Sequence, residues 1–362
     1  MPTTNSSIGR QPRARLEKPR PTCLCRAVGA LRSAAVRDLR VLAYHRVLPL
    51  LDEQTFAFDI ELVSALQSEF EWQMDYLARH FRLVSCKQVV DALNHGRALP
   101  RRAVMVTFDD GFRDNYEVAF PVLRRLGVPG LFFLSTGYIG GHQMFWFDRV
   151  VYLLLRTAAH SLRLDALDMT LELPEDAKPR RSVAMQLLKR LKRVSETDRL
   201  LVLRQLEVAA GVLADEVESM SAPMTWAQVR EMARSGMEFG SHTVTHPILA
   251  MADAQQLRRE LEVSKADIER ATGRPVIALA YPVGGANAVN AQVLAATAQA
   301  GYSIAFTYQS GVNRLASAAP LLLKRLHVER YTSRGMFEAA LQWPEVFAPE
   351  ARVAGLRRFA LR

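Results

Sequence analysis

An α/β fold built on a parallel sheet is what this sequence predicts, and three observations predict it. Short apolar segments alternate with stretches of helical periodicity along most of the chain. Seven segments of the first kind are present, which fits a barrel slightly short of the eight-stranded form. Those segments are apolar through their middles instead of alternating, as strands buried on both faces are.

In chain order the strand candidates are Val41–Tyr44, Ala103–Phe108, Gly130–Ser135, Glu238–Ser241, Val276–Tyr281, Tyr302–Tyr308 and Leu321–Val328. Most are β-branched or aromatic and are bounded by Gly, Pro or Asn, which end extended segments. Between them, Thr55–His80 reads as a helix, because Phe58, Leu62, Leu66, Phe70 and Met74 recur at helical spacing. Ala254–Ala271 sets Leu257, Leu261 and Ile268 on one face and stops before Gly273, with Pro275 beyond. Residues 148–221 break the alternation: they are helical in pattern, rich in Leu and basic residues, and hold no convincing parallel strand. They read as a helical insertion on the barrel, with its charges mostly a solvated face and a substrate-covering cap as the sharper alternative. The organisation expected is a basic, partly disordered leader (1–37), a barrel (38–345) and a basic tail (346–362).

Hydrophobic residues make up 49% of the chain and charged residues 23%, the balance of an ordinary soluble globular protein. The formal charge of +10 is unevenly spread: nine Arg/Lys against Glu17 and Asp38 give residues 1–40 a charge of +7. The basic pI therefore describes the leader more than the body, and no nucleic-acid partner is expected. The leader lacks the apolar core and cleavage site of a secretory signal. A cytoplasmic protein, or one peripheral on the inner face of the membrane, is the expectation. Within residues 24–40, Leu24, Val28, Leu31, Ala35 and Leu39 mixed with Arg26, Arg32 and Arg37 suggest an amphipathic helix on an anionic membrane surface. A solvated helix on the barrel's flank is the alternative. Cys23, Cys25 and Cys86 form no zinc-site pattern, and their low, odd number suits a reducing compartment.

Three motifs carry chemistry. Asp109 and Asp110, followed by Gly111, end the strand Ala103–Phe108, where barrel enzymes keep their active sites. Adjacent side chains point apart in an extended segment, so one carboxylate can bind a metal while its neighbour stays free as a base. His242 and His246, four apart after Gly240-Ser241, can reach a common point from a strand-end loop. One carboxylate and two imidazoles suit zinc or another borderline divalent ion, with positions left for water and substrate. Tyr281-Pro282-Val283-Gly284 is a strand-end turn whose N–H groups face the barrel mouth and can stabilise an oxyanion.

In this order and spacing, Thr107-Phe108-Asp109-Asp110-Gly111, Ser241-His242 to His246-Pro247, and Tyr281-Pro282-Val283-Gly284 resemble the polysaccharide deacetylase family with the NodB homology fold. The resemblance spans roughly residues 38–345 outside the insertion. Val41 to Val47 resembles the first strand of the family's exopolysaccharide branch, and Met224 to Arg230 leading into Gly236 to His242 is similar to its usual approach to the histidine motif. It implies a distorted (β/α)7-type barrel and one divalent metal ion held by Asp110, His242 and His246. It further implies Asp109 as general base and the Tyr281 N–H as oxyanion donor. It places a general acid at His327, with His45 as a second candidate. The implied reaction is hydrolysis of N-acetyl groups on amino sugars of a polysaccharide, oligosaccharide or lipid-linked glycan. Deformylation or other amide hydrolysis on the same metal centre, and a non-catalytic carbohydrate-binding relative, are the alternatives. One departure stands out. Ala280 occupies the place where many relatives have an Arg that orients the catalytic Asp, leaving Arg325 or Arg46 to supply the cation.

Overall fold

The computed structural model describes residues 32, 36–212, 221–285 and 287–347. Seven parallel strands close on themselves: β1 (Leu39–Tyr44), β2 (Ala103–Phe108), β3 (Gly130–Leu134), β4 (Glu238–Ser241), β5 (Ala278–Ala280), β6 (Ile304–Ser310) and β7 (Leu323–His327). Each pairs with the next in chain order, and β1 pairs with both β2 and β7, so the ring has no free edge. The ring is irregular at two places. β3 pairs only with the second half of β2, from Val106, and the two-residue strand Arg82–Leu83 takes the first half. The register between β6 and β7 also shifts between Phe306 and Ser310. This is the (β/α)7 barrel that the strand pattern and the resemblance implied.

Side-chain parity explains the uniformly apolar strands. Leu39, Val41, Ala103, Met105, Leu131, Phe133, Ala278, Ala280, Ile304, Phe306 and Leu323 pack together inside the ring. Their neighbours, among them Leu42, Tyr44, Val106, Phe108, Phe132, Leu279, Tyr281 and Leu326, pack outward under the helices. Those helices are α1 (Gln67–His80), α2 (Cys86–Asn94), α3 (Phe120–Leu126), α4 (Trp146–Arg156), α5 (Ala177–Leu191), α6 (Glu196–Ala210), α7 (Trp226–Arg234), α8 (Ala254–Thr272), α9 (Ala291–Gln299) and α10 (Arg334–Gln342).

Three expectations need correction. The helix expected from Thr55 starts only at Gln67; before it, Val63–Leu66 pairs in parallel with Arg46–Leu48. Phe58, which fitted the helical spacing, belongs instead to a separate cluster with Leu48, Phe56, Ile60, Val63 and Met144. Tertiary packing overrides the periodicity there. The insertion is not wholly helical: between α4 and α5, Ser161–Leu164 and Met169–Glu172 form an antiparallel hairpin. Finally, the end of the stretch expected on a membrane is barrel. Leu39 opens β1, and Arg40 is fully buried, 2.6 Å from Asp38 and 2.7 Å from the Leu341 carbonyl. Arg32 joins Asp38 and Glu345. The other leader residues to 35, and the tail from residue 348, lie outside the described residues.

The insertion has its own apolar cluster, from α4, the hairpin, α5 and α6, and this cluster continues into Phe112 and Phe145 beside the barrel mouth. Buried polar contacts complete the joint. Asp148 on α4 accepts the Asp59 N–H (2.8 Å) and the Ser221 hydroxyl (2.9 Å), and lies 3.9 Å from Arg46.

Candidate active site

The site forms where β2, β4 and β7 end, at the carboxyl face of the ring. On β2, inward-facing Ala103, Met105 and Thr107 are followed, two residues on, by Asp109, so strand parity aims this carboxylate into the lumen. Asp110 then turns away with φ +73° and Gly111 with φ +92°. A Cβ on Gly111 would sit 2.8 Å from Ile139 and 2.9 Å from Leu134, so glycine meets both the conformation and the space. On β4 the inward Gly240 lies against Phe133, whose ring would be 2.6 Å from a Cβ there, and His242 continues that inward column.

Asp110 and the two histidines meet. Asp110 Oδ1 is 3.5 Å from His242 Nε2 and 3.4 Å from His246 Nε2, and the two imidazole centroids are 4.8 Å apart. One ligand atom from each of the three lies within 4.8 Å of the others, and all three residues are buried. Asp110 Oδ2 is buried without a hydrogen-bond partner. A carboxylate oxygen left this way in the protein interior is costly, so the donor set fits a cation. His242 Nδ1 faces the Ala280 carbonyl at 2.8 Å, which leaves Nε2 free to act as a ligand.

The electrostatics follow from burial and charge. Burial pushes the Asp110 carboxyl up, but the two imidazoles outweigh it and hold this group far below the usual range. Burial pulls His246 down to about 4, leaving a neutral ring. Burial also lowers His242, but Asp109 and Asp110 reverse the sign and raise it.

Asp109 has a different partner. Arg325, fully buried on β7, forms a two-pronged pair with it: each guanidinium nitrogen is 2.7 Å from one carboxylate oxygen. The Arg325 Nε is held in turn by the Thr307 carbonyl at 3.0 Å. Burial raises the Asp109 carboxyl, and Arg325 and His242 more than cancel that, leaving it below the ordinary value. Arg46 is committed elsewhere, 2.9 Å from Asp114.

The remaining candidates separate. His45 Nε2 lies 3.9 Å from Asp109 Oδ2, and burial lowers its proton affinity. His327 stacks on Tyr308 at 3.6 Å and 8°, its Nε2 is buried without a partner, and burial drives it down to about 3. Tyr281 is a correction. Its N–H is spent on the Phe306 carbonyl (3.0 Å), its hydroxyl reaches the Leu321 carbonyl (3.1 Å), and its ring packs outward. It is sheet and core, with no N–H left for an oxyanion. The strained position in that turn is Val283, a β-branched residue at φ +62°.

Two supports had no reading in the sequence. Glu260 on α8 accepts the N–H groups of Val244 (2.7 Å) and Thr245 (2.9 Å) and the Thr245 hydroxyl (2.7 Å), pinning the loop that carries both histidines. Trp146, which opens α4, places its indole N–H 3.3 Å from both Nδ1 and the carbonyl of His246. A Glu on an exposed-looking helix and a Trp in an apolar run carry no local mark of either contact.

Comparison with known proteins agrees with this geometry. The family model described as polysaccharide deacetylase matches residues 96–305, more than half the chain. A poly-beta-1,6-N-acetyl-D-glucosamine N-deacetylase of Staphylococcus aureus (strain MSSA476) is 29% identical over 116 residues, covering 30% of this chain and 40% of that protein. Its Staphylococcus epidermidis counterpart is 33% identical over 106 residues, covering 27% and 36%. This chain thus spans only about two fifths of the first of these relatives. Among solved structures, the deacetylase PplD of Streptococcus pyogenes superposes with a TM-score of 0.56 at 20% identity, covering 84% of this chain and 97% of that one. IcaB from Ammonifex degensii gives 0.53 at 23%, covering 85% and 97%. At these identities the likeness is one of fold. With the matched family model and the strand-end carboxylates and imidazoles together, the chain belongs to the polysaccharide deacetylase family.

Proposed function

We propose that this chain is a metal-dependent N-deacetylase of amino-sugar polymers, hydrolysing the acetamide C–N bond to leave a free amine and acetate. The observation that carries this reading is the contrast between neighbouring carboxylates: Asp110 faces two imidazoles, while Asp109 is clamped by a buried guanidinium. The names of the staphylococcal relatives favour a β-1,6-linked N-acetylglucosamine polymer as substrate over a lipid-linked glycan.

Asp110, His242 and His246 would hold one divalent ion, and their nitrogen and oxygen donors suit zinc. Such an ion supplies Lewis-acid polarisation of the acetyl carbonyl and makes water a better nucleophile. The chain's own groups do the rest. Asp109 takes the proton of the attacking water, with Arg325 keeping the carboxylate ionised and its lone pairs fixed in direction. His45, beside Asp109, receives that proton and gives it to the leaving nitrogen. His327 is less suited, since its ring is stacked on Tyr308 and burial drives it down to about 3.

The test is acetate release from oligomers of N-acetylglucosamine, with formyl and other amides as comparison substrates. Activity should vanish with a chelator and return with a divalent ion. Asp109→Asn should lower kcat on the order of 100-fold or more while sparing metal affinity. His45→Ala should lower kcat with little change in metal binding. Full activity in chelator, or in Asp109→Asn, would refute the assignment.

A further inference from the structure

The loops that enter the strands lie at the end of the barrel opposite Asp109 and Asp110. There α7 finishes before β4, and α8 finishes before β5. Between these helix ends is a cavity of about 120 Å³ lined by Arg230, Ala233, Arg234, Ala271, Thr272 and Arg274. Three guanidinium groups line it and no carboxylate does. The acids nearest in sequence are spent elsewhere. Glu231 accepts from the Tyr116 hydroxyl at 2.7 Å, Glu269 from the Val276 N–H at 2.9 Å, and Asp267 from Arg270 at 2.9 Å and Thr136 at 3.1 Å. Among the described residues, no side-chain hydrogen bond or ion pair joins Arg230, Arg234 or Arg274 to a partner. A helix C-terminus favours a nearby cation, which accounts for one arginine at each helix end. It does not account for Arg230 and Arg234 four apart on one face, where like charges repel, with Arg274 facing them.

Two basic segments of the chain join the described residues at this same end. Residues 1–35 hold seven Arg/Lys against Glu17 and lead into the start of β1. Residues 348–362 hold four Arg against Glu350. They follow Pro344–Phe347, where Val346 is 64% and Phe347 46% exposed. The two junctions are neighbours in space, since Arg40 at the start of β1 reaches the Leu341 carbonyl and Arg32 reaches Glu345.

We propose that this end of the barrel docks on an anionic phospholipid surface, with a lipid phosphate seated among Arg230, Arg234 and Arg274. The catalytic mouth then points away from the bilayer. The chemistry matches: planar guanidinium forks bind phosphate oxygens in pairs, and clustered arginines follow the negative potential of acidic lipids. This inference does not depend on the deacetylase reading.

The experiment is flotation of the full chain with vesicles of phosphatidylcholine, with and without phosphatidylglycerol. Binding should require the anionic lipid and fade with salt. The R230E/R234E/R274E variant should lose affinity on the order of 100-fold. Its control, K189E/R193E/R204E, makes the same charge change at exposed positions of the insertion and should stay within a small factor of the parent. R230Q/R234Q/R274Q gives a milder form if the reversal impairs folding, and thermal midpoints verify the fold of each. No binding of the parent to anionic vesicles overturns the proposal. So do equal losses in the two charge-reversed variants, which would mean net charge alone, and unchanged binding in the glutamine variant.

Discussion

A guanidinium 2.7 Å from each oxygen of Asp109 sets both the direction and the charge of that carboxylate. Arg325→Ala would leave a buried carboxylate unpaired, at a cost of about 3–5 kcal/mol in stability. Activity should fall on the order of 100-fold through lost orientation. The sign of the pH effect follows from the causes: burial raises the Asp109 carboxyl and Arg325 lowers it, so without Arg325 the acid limb of kcat/KM should move to higher pH. Arg325→Lys keeps the charge but not the fork and should recover only part of the activity. A pH–rate profile of the two variants checks this, and an unmoved acid limb in Arg325→Ala would count against the pairing. At this scale the sequence was readable where chemistry is local. Asp109-Asp110-Gly111 and the histidines four apart carry their own signal. The choice between Arg325 and Arg46 did not, because it depends on which side chain points into the lumen across strands far apart in sequence.

For single elements, what decided legibility was burial on both faces. β2 matches its expected bounds because an apolar run flanked by turn residues has few other uses in an α/β chain. The start of α1 was misread because Phe58 and Leu62 keep helical spacing while packing into two different clusters ahead of the α-helix. Tyr281 was misread because its backbone N–H is spent on the Phe306 carbonyl, and a motif read as a string does not record which N–H groups the neighbouring strand takes. Side-chain parity gives a test at β4. A methyl at Gly240 would press on the Phe133 ring and lie 2.8 Å from the Ala278 carbonyl. Gly240→Ala should therefore destabilise the barrel by about 1–3 kcal/mol, read as a lower thermal midpoint. An unchanged midpoint would mean that the lumen gives way more easily than its packing indicates.

Across the whole molecule, the insertion and the barrel share one buried joint, and its charge state links stability to pH. Burial pushes the Asp148 carboxyl up to about 7. Its folded value therefore lies above its unfolded one, so its stabilising effect is complete below the ordinary carboxylate range and is lost as pH rises through about 7. Between pH 6 and pH 8 the parent should lose about 1.4 kcal/mol of stability that Asp148→Asn retains. Denaturant unfolding of both proteins across that interval measures it, and parallel curves would remove Asp148 as the cause. None of this was legible in the sequence, where residues 148–221 show helical pattern and charge but not what they press against. The lumen-spanning clamp has a wider consequence. The family resemblance implies an arginine where Ala280 stands, and in this chain a buried arginine reaches Asp109 from another strand. Relatives scored by position alone would be set aside as impaired when they have only moved the charge to a different wall of the same ring. Sorting such chains by what fills the lumen at the height of Asp109 would recover them.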